Sequence, residues 1–171
     1  MISIRNLLFL AVAVTGSVIK RDADIVRKDL EIVNSDTIAV TKAVNNYNVA
    51  QEAIPILNAQ RKLTADIKTA TNNANRVKAT PAEAEKIIDY ITNVFQGSIS
   101  SALNALKAKK DNFKKDGLTD SVKKILKDLK SDSSNYSDAL IAGTPAGLQE
   151  KARGIKKDII KKFDDAINAF P

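Results

Sequence analysis

The sequence has 171 residues and a formal net charge of +7, and it contains no His, Cys or Trp. The missing His and Cys exclude Ser-His and Cys-His catalysis and remove the usual ligands of zinc and copper, so we expect neither a metal nor a cofactor. The acidic residues sit beside Lys on polar helical faces, and no aromatic-plus-basic platform is present, which indicates neither an enzyme nor a nucleic-acid-binding protein.

Residues 1–17, MISIRNLLFLAVAVTGS, are typical of a secretory signal peptide. Arg5 precedes an apolar run of eight residues, LLFLAVAV, and small and polar residues follow that run. Eight apolar residues are too few for a membrane of about 30 Å, so we expect no transmembrane segment. A buried N-terminal helix is the alternative, but it leaves the Gly16-Ser17 break unexplained.

A lone dibasic pair, Lys20-Arg21, follows the predicted signal peptide. The spacing predicts a short pro-segment, residues 18–21, that a kexin-type protease removes. The mature domain then spans residues 22–171 and begins at Asp22. The alternative is that two basic residues flank a helix start by chance.

Apolar residues recur with helical spacing through the rest of the chain. One stripe runs over residues 26–47 and a second over 56–77, with a break near 48–51. Thr80-Pro81-Ala82-Glu83 then has the pattern of a capping box and predicts a third helix, which we extend to Phe113. Within it, Gly97-Ser98 predicts a kink or a close approach by another element or by a ligand.

Two further stripes complete the pattern. Asp116-Gly117 predicts the end of the third helix, and the fourth stripe runs over residues 122–140 until Gly143. Thr144-Pro145 predicts the start of the fifth helix. About five amphipathic helices joined by short links bury their apolar stripes together, so the predicted fold is all-α, an antiparallel bundle.

Several segments occur in the order and spacing of a known family. They are the dibasic start, the Lys-Lys-x-x-Phe segment 109–113, the Tyr-Ser-x-Ala-Leu segment 136–140, the Thr-Pro hinge and the closing Phe163-x-x-Ala166-Ile167. Over essentially the whole mature chain, the sequence resembles the fungal hydrophobic surface binding protein A family, also called the cell wall galactomannoprotein family.

The resemblance implies a secreted fungal helical domain whose partners are hydrophobic surfaces and secreted polymer-degrading esterases. It also implies fatty acids held in a cavity inside the bundle, as in related domains. Several relatives carry a Ser/Thr-rich stalk and a lipid-anchor signal, but this sequence shows neither before Phe170-Pro171. We therefore expect a freely secreted domain, with attachment to the cell wall as the alternative.

The predicted stripes are rich in small and polar residues, which either bring helices close or leave space between them. An apolar cavity for a fatty acid or other lipid is one interpretation, and a close-packed core is the other. Thr37, Ser133 and Tyr136 would supply hydroxyls that orient a carboxylate, unless they bond to their own helix. The candidate lining residues are Val33, Thr37, Val40, Phe95, Ile99, Ala102, Leu129, Ser133, Tyr136, Leu140, Ile159 and Phe163.

Two functions fit these patterns. The first is a lipid carrier with an internal slot, and the second is a surface-adsorbing adaptor that recruits hydrolytic enzymes and has no dedicated pocket. Asn135-Tyr136-Ser137 is an N-glycosylation sequon, and the register predicts that Asn135 faces outward.

Overall fold

The computed structural model describes residues 22–170, and every regular element in that range is helical. A single 3₁₀ turn, Ala50–Glu52, precedes the second helix, and a π-helical turn, Ile91–Phe95, joins the third to the fourth. The α-helices are α1 (Asp22–Asn45), α2 (Ala53–Ala74), α3 (Pro81–Tyr90), α4 (Gln96–Ala108), α5 (Lys110–Lys115), α6 (Thr119–Gly143) and α7 (Ala146–Asn168). The predicted signal peptide and the pair Lys20-Arg21 lie outside the described residues.

Polar contacts between neighbouring helices show that the helices run antiparallel. On α1 and α2, Lys62 Nζ lies 2.7 Å from the Asp36 carboxylate, and the Asn73 amide donates a hydrogen bond of 2.9 Å to Asp29. The later residue of α1 thus pairs with the earlier residue of α2. The same reversed order joins α6 to α7 through the ion pairs Lys130–Asp164 and Asp138–Lys156. The predicted all-α antiparallel bundle is confirmed.

The start of α3 has the geometry that its sequence predicts. The Thr80 backbone N–H donates to the Glu83 carboxylate at 2.9 Å, and the Glu83 backbone N–H donates to Thr80 Oγ1 at 3.4 Å. Pro81 occupies the first helical position, where its missing N–H removes no helical hydrogen bond. These two reciprocal bonds satisfy backbone groups that the helix itself leaves unpaired.

Two glycines stand where the backbone requires them. Gly117 adopts a φ of +70°, a left-handed conformation that lets the chain turn between α5 and α6. Gly143 ends α6, and a Cβ there would lie 2.7 Å from the Val77 carbonyl oxygen. The Ala79 backbone N–H also donates to the Gly143 carbonyl at 3.0 Å, so this close approach fixes the end of α6 against the α2–α3 connection.

The close approach of another element that we expected at Gly97 is wrong. Gly97 is exposed inside α4, and a Cβ placed on it would meet no atom of another element within 4 Å. The helix is instead widened just before this point, by the π turn Ile91–Phe95. The apolar positions 91, 95 and 99 are spaced four residues apart, slightly more than one α-helical turn, and a π turn accommodates the additional residue.

The third predicted helix also ends earlier than expected. At Lys109 the backbone leaves the helical conformation, with φ −96° and ψ 7°, and α5 carries Phe113 as a separate short helix. Phe113 stacks on Tyr47 with ring centroids 4.5 Å apart, and Phe170 lies 6.4 Å from Phe113. This aromatic cluster closes one end of the bundle. Among residues 22–170, no helix combines the length and apolarity needed to cross a bilayer.

Candidate functional site

Two apolar cavities lie along the interior of the bundle, each with a volume of about 50 Å³. The first cavity lies among α1, α2, α3, the π turn and the beginning of α4 on one side and α6 and α7 on the other. Its lining residues are Leu30, Val33, Ile67, Ile87, Ile88, Ile91, Phe95, Ile99, Ser133, Tyr136, Ser137, Leu140, Ile141, Thr144, Ala152, Ile155, Lys156 and Ile159.

The second cavity continues the same apolar interior toward the middle of α1 and α4. It is lined by Val33, Thr37, Val40, Leu63, Ile67, Phe95, Ile99, Ala102, Leu103, Leu106, Leu126, Leu129, Ser133 and Phe163. Five residues line both cavities, and we refer to them as the shared wall: Val33, Ile67, Phe95, Ile99 and Ser133. Because these five residues line both spaces, the two cavities adjoin each other.

The structure brings together the twelve candidate lining residues. Each of them, from Val33 on α1 to Phe163 on α7, lines one of the two cavities or both. Their contact with a ligand stays a prediction. Sequence reasoning missed the part that α2 contributes, Leu63 and Ile67. The stripe of α2 was visible, but periodicity does not reveal which other helices its apolar face meets.

The cavities are small compared with a long acyl chain. A cavity of 50 Å³ has room for a few water molecules, because one water molecule needs a cavity volume of about 10–15 Å³. Established ligand pockets are commonly about 300–1,000 Å³. A long apolar ligand would therefore have to displace side chains of the shared wall and spread the helices around it.

The three candidate hydroxyls differ in their partners. Thr37 Oγ1 donates a hydrogen bond of 2.8 Å to the Val33 carbonyl of its own helix. Thr37 therefore bonds to its own backbone, which was the alternative to orienting a ligand carboxylate. Ser133 belongs to the shared wall and is half-buried. Tyr136 is only 4% exposed, and its hydroxyl is buried without a hydrogen-bond partner among the described residues. Burial, followed by the negative field of Asp29, raises the pKa of Tyr136 well above its ordinary value.

Of the described residues that line either cavity, Lys156 of α7 alone carries a charge, and it lies at the rim of the first cavity. Its Nζ lies 2.6 Å from the Asp138 carboxylate of α6. Nearby, α3 and α7 are joined by a long contact of 4.0 Å between Lys151 and Asp89, both more than half exposed. Such an exposed pair contributes little to holding α3 against α7.

A buried acid on α1 faces α2 and lines neither cavity. Asp36 is 6% exposed, and its carboxylate accepts hydrogen bonds of 2.7 and 3.0 Å from the exposed Lys62. Burial raises the pKa of Asp36 while the bond from Lys62 opposes this shift. The glycosylation candidate Asn135 is exposed on α6, as the register predicts, and its modification stays a prediction. Within residues 22–170, no cluster of acidic side chains is arranged to hold a metal ion.

The sequence of residues 23–142 matches the family model described as hydrophobic surface binding protein A. The chain belongs to this family. The predicted resemblance is thereby confirmed, and the matched range includes α1 to α5 and nearly all of α6. None of the curated proteins matches the chain.

Solved structures share the fold. One is the crystal structure of Afmp4p in complex with palmitic acid, which is 24% identical with a TM-score of 0.84 and covers 88% of this chain and 100% of its own. Another is ligand binding domain 1 of the Penicillium marneffei MP1 protein complexed with arachidonic acids. It is 16% identical with a TM-score of 0.82, and the match covers 88% of this chain and 99% of that one.

A third is ligand binding domain 2 of the same Penicillium marneffei protein, complexed with multiple arachidonic acids. Its identity is 18%, its TM-score is 0.81, and the match covers 89% of this chain and 97% of that chain. At these identities the likeness shows the shared helical fold.

Proposed function

We propose that this protein is a non-enzymatic carrier that binds a fatty acid or similar single-chain lipid inside the bundle. The observation that carries the proposal is the pair of apolar cavities that meet at the shared wall. Together they form a largely apolar interior, with the buried Tyr136 hydroxyl and one cation, Lys156, among the lining residues. An acyl chain along this interior leaves its carboxylate at the rim, where water and Lys156 stabilise the charge.

The related structures support this proposal through the fold. Afmp4p and two domains of the Penicillium marneffei MP1 protein have the same arrangement of helices and were solved with palmitic or arachidonic acid. This likeness supports the proposal that a bundle of this shape holds an acyl chain, for which the helices of this chain would have to separate. In this chain, we expect that separation between α3 and α7, where the ion pair between Lys151 and Asp89 is long and exposed.

The expected affinity follows from apolar burial and its costs. Burying about 10 methylenes at about 0.8 kcal/mol each contributes roughly 8 kcal/mol. Ordering the ligand and spreading the helices oppose this contribution, so we expect binding that is micromolar or weaker.

Titration of delipidated protein tests the proposal. We expect saturable binding of hexadecanoic acid at one or two sites by calorimetry, and a melting temperature that rises with ligand concentration. Hexadecane-coated beads, incubated with the same protein, provide the comparison. Uptake that is limited only by bead area, together with no saturable binding of the free acid, would contradict the carrier.

The second candidate is the surface-adsorbing adaptor, in which the protein binds a hydrophobic solid and recruits a secreted esterase. The family description supports the surface binding, and so do the large apolar side chains that are exposed on α1, α2 and the turn between them. These are Ile25, Ile32, Ile38, Val49, Ile54 and Leu57, of which Ile54 is 65% exposed. Saturable lipid binding and bead adsorption by separate residues would support both functions in one protein.

We also propose that the protein is secreted and processed after Arg21. The supporting observation is the order of a basic residue, an apolar run, small residues and the pair Lys20-Arg21. N-terminal sequencing of secreted protein should return Asp22 as the first residue. A product that begins at Val18 or Met1 would contradict the processing step.

A further inference from the structure

Tyr136 presents a polar group that the protein does not satisfy. Its ring lines the first cavity, and its hydroxyl is buried without a hydrogen-bond partner among residues 22–170. Buried polar groups in proteins nearly always have a partner, and one that lacks a partner calls for an explanation. The first cavity is mainly apolar, and its lining includes Leu30, Ile67 and Ile91. A ligand oxygen would supply the missing bond.

The oxygen that suits this position carries no charge. Burial and the nearby Asp29 carboxylate raise the pKa of Tyr136, which means that a negative charge is unfavourable at its hydroxyl. The same environment disfavours an ionised carboxylate beside Tyr136. An alcohol or a carbonyl oxygen carries no net charge and can pair with a phenol without that penalty.

The ionised headgroup has a better place elsewhere. Lys156 lies at the rim on α7, bridged to Asp138, and it is the sole charged residue among the described lining of the two cavities. Tyr136, in contrast, lies on α6, and burial together with the field of Asp29 disfavours a charge at its hydroxyl. With the carboxylate paired to Lys156, the oxygen that bonds to the Tyr136 hydroxyl belongs to another part of the ligand.

We propose that the cavity selects fatty acids that carry a neutral oxygen, a hydroxyl or keto group, part-way along the acyl chain. Tyr136 is the specificity-determining residue, and its hydroxyl bonds to that oxygen. This inference rests on the proposed lipid-carrier function and specifies its ligand class. A site that hydrogen-bonds a ligand oxygen discriminates against the analogue without it, because one polar group is then left unpaired.

The test compares octadecanoic acid with a set of mid-chain hydroxy- and keto-octadecanoic acids on delipidated protein. Calorimetric affinities are measured for wild type, Tyr136→Phe and Tyr90→Phe. Tyr90 is a matched control because it lines neither cavity, whereas Tyr136 lines the first. We expect wild type and Tyr90→Phe to bind the best oxygenated acid about threefold to tenfold more tightly than octadecanoic acid.

In Tyr136→Phe we expect the preference to disappear or reverse, because the ligand oxygen then has no partner. Binding of octadecanoic acid should be unchanged or tighter, and the melting temperature of the delipidated variant equal or higher, since an unpaired buried hydroxyl has been removed. Equal affinities of wild type for all acids would overturn the inference while leaving the carrier function intact. An equal loss of all acids in Tyr136→Phe would also overturn it, because that result places the headgroup itself at Tyr136. No saturable binding of any acid would reject the carrier function and this inference together.

Discussion

The substitution Ser133→Leu tests whether the bundle interior is a ligand cavity or a close-packed core. Ser133 lies in the shared wall, with free volume of about 50 Å³ on each side of it. Leucine adds roughly three methylene equivalents, worth about 2.4 kcal/mol if fully buried at about 0.8 kcal/mol each. Because the position is half-buried, about half of this is expected, roughly 1 kcal/mol. Overpacking of a tight core would instead cost about 1–3 kcal/mol.

Because free volume lies on both sides of Ser133, we expect the leucine side chain to fill this space rather than to overpack the core. We therefore expect the delipidated variant to be as stable as wild type or more stable by up to about 1 kcal/mol, a rise of about 2–4 °C in melting temperature. The same leucine occupies the space that an acyl chain needs, so the affinity for hexadecanoic acid should fall at least about tenfold.

Urea denaturation and calorimetric titration of the delipidated protein measure the two quantities. Ser131→Leu is the control, because Ser131 is exposed on the same helix and lines neither cavity. It shares the gain in helix propensity and leaves the cavities unfilled. A variant at position 133 that is less stable than the control by more than about 1 kcal/mol, with unchanged lipid affinity, would refute the reasoning and indicate a packed core.

Three further predictions address other parts of the molecule. Replacing exposed Ile54 and Leu57 by Ser should lower uptake on hexadecane-coated beads and leave the affinity for hexadecanoic acid unchanged; equal uptake would show that adsorption uses another face. Tyr47→Phe removes the hydrogen bond that the buried Tyr47 hydroxyl donates to the Asp116 carboxylate, and urea denaturation should register a loss of about 1–2 kcal/mol. Burial raises the pKa of Asp36 above 3.8, so ionisation of this carboxyl group disfavours the folded state. The stability of wild type relative to Asp36→Asn should therefore fall as the pH rises from about 4 to neutrality, and a relative stability that increases over this interval would contradict the prediction.

Local signals in the sequence determined the helices and most of their ends. The capping box at Thr80 and the left-handed turn at Gly117 depend on residues close in sequence, so the local sequence suffices to predict them. Gly143 also marked the end of α6, but the contact that requires a glycine there comes from the distant Val77. The apolar period likewise identified the buried faces, and all twelve candidate residues are gathered around the two cavities.

Tertiary packing decided what the period leaves open. The π turn at Ile91–Phe95 carries no local signal comparable to Gly97, because it adjusts the register of α3 and α4 to helices distant in sequence. In the same way, the free volume, the contribution of Ile67 to the shared wall and the unpaired hydroxyl of Tyr136 depend on how side chains from several helices fill a common space. A stripe along one helix specifies which side is buried, and only the packed bundle determines how much room remains there.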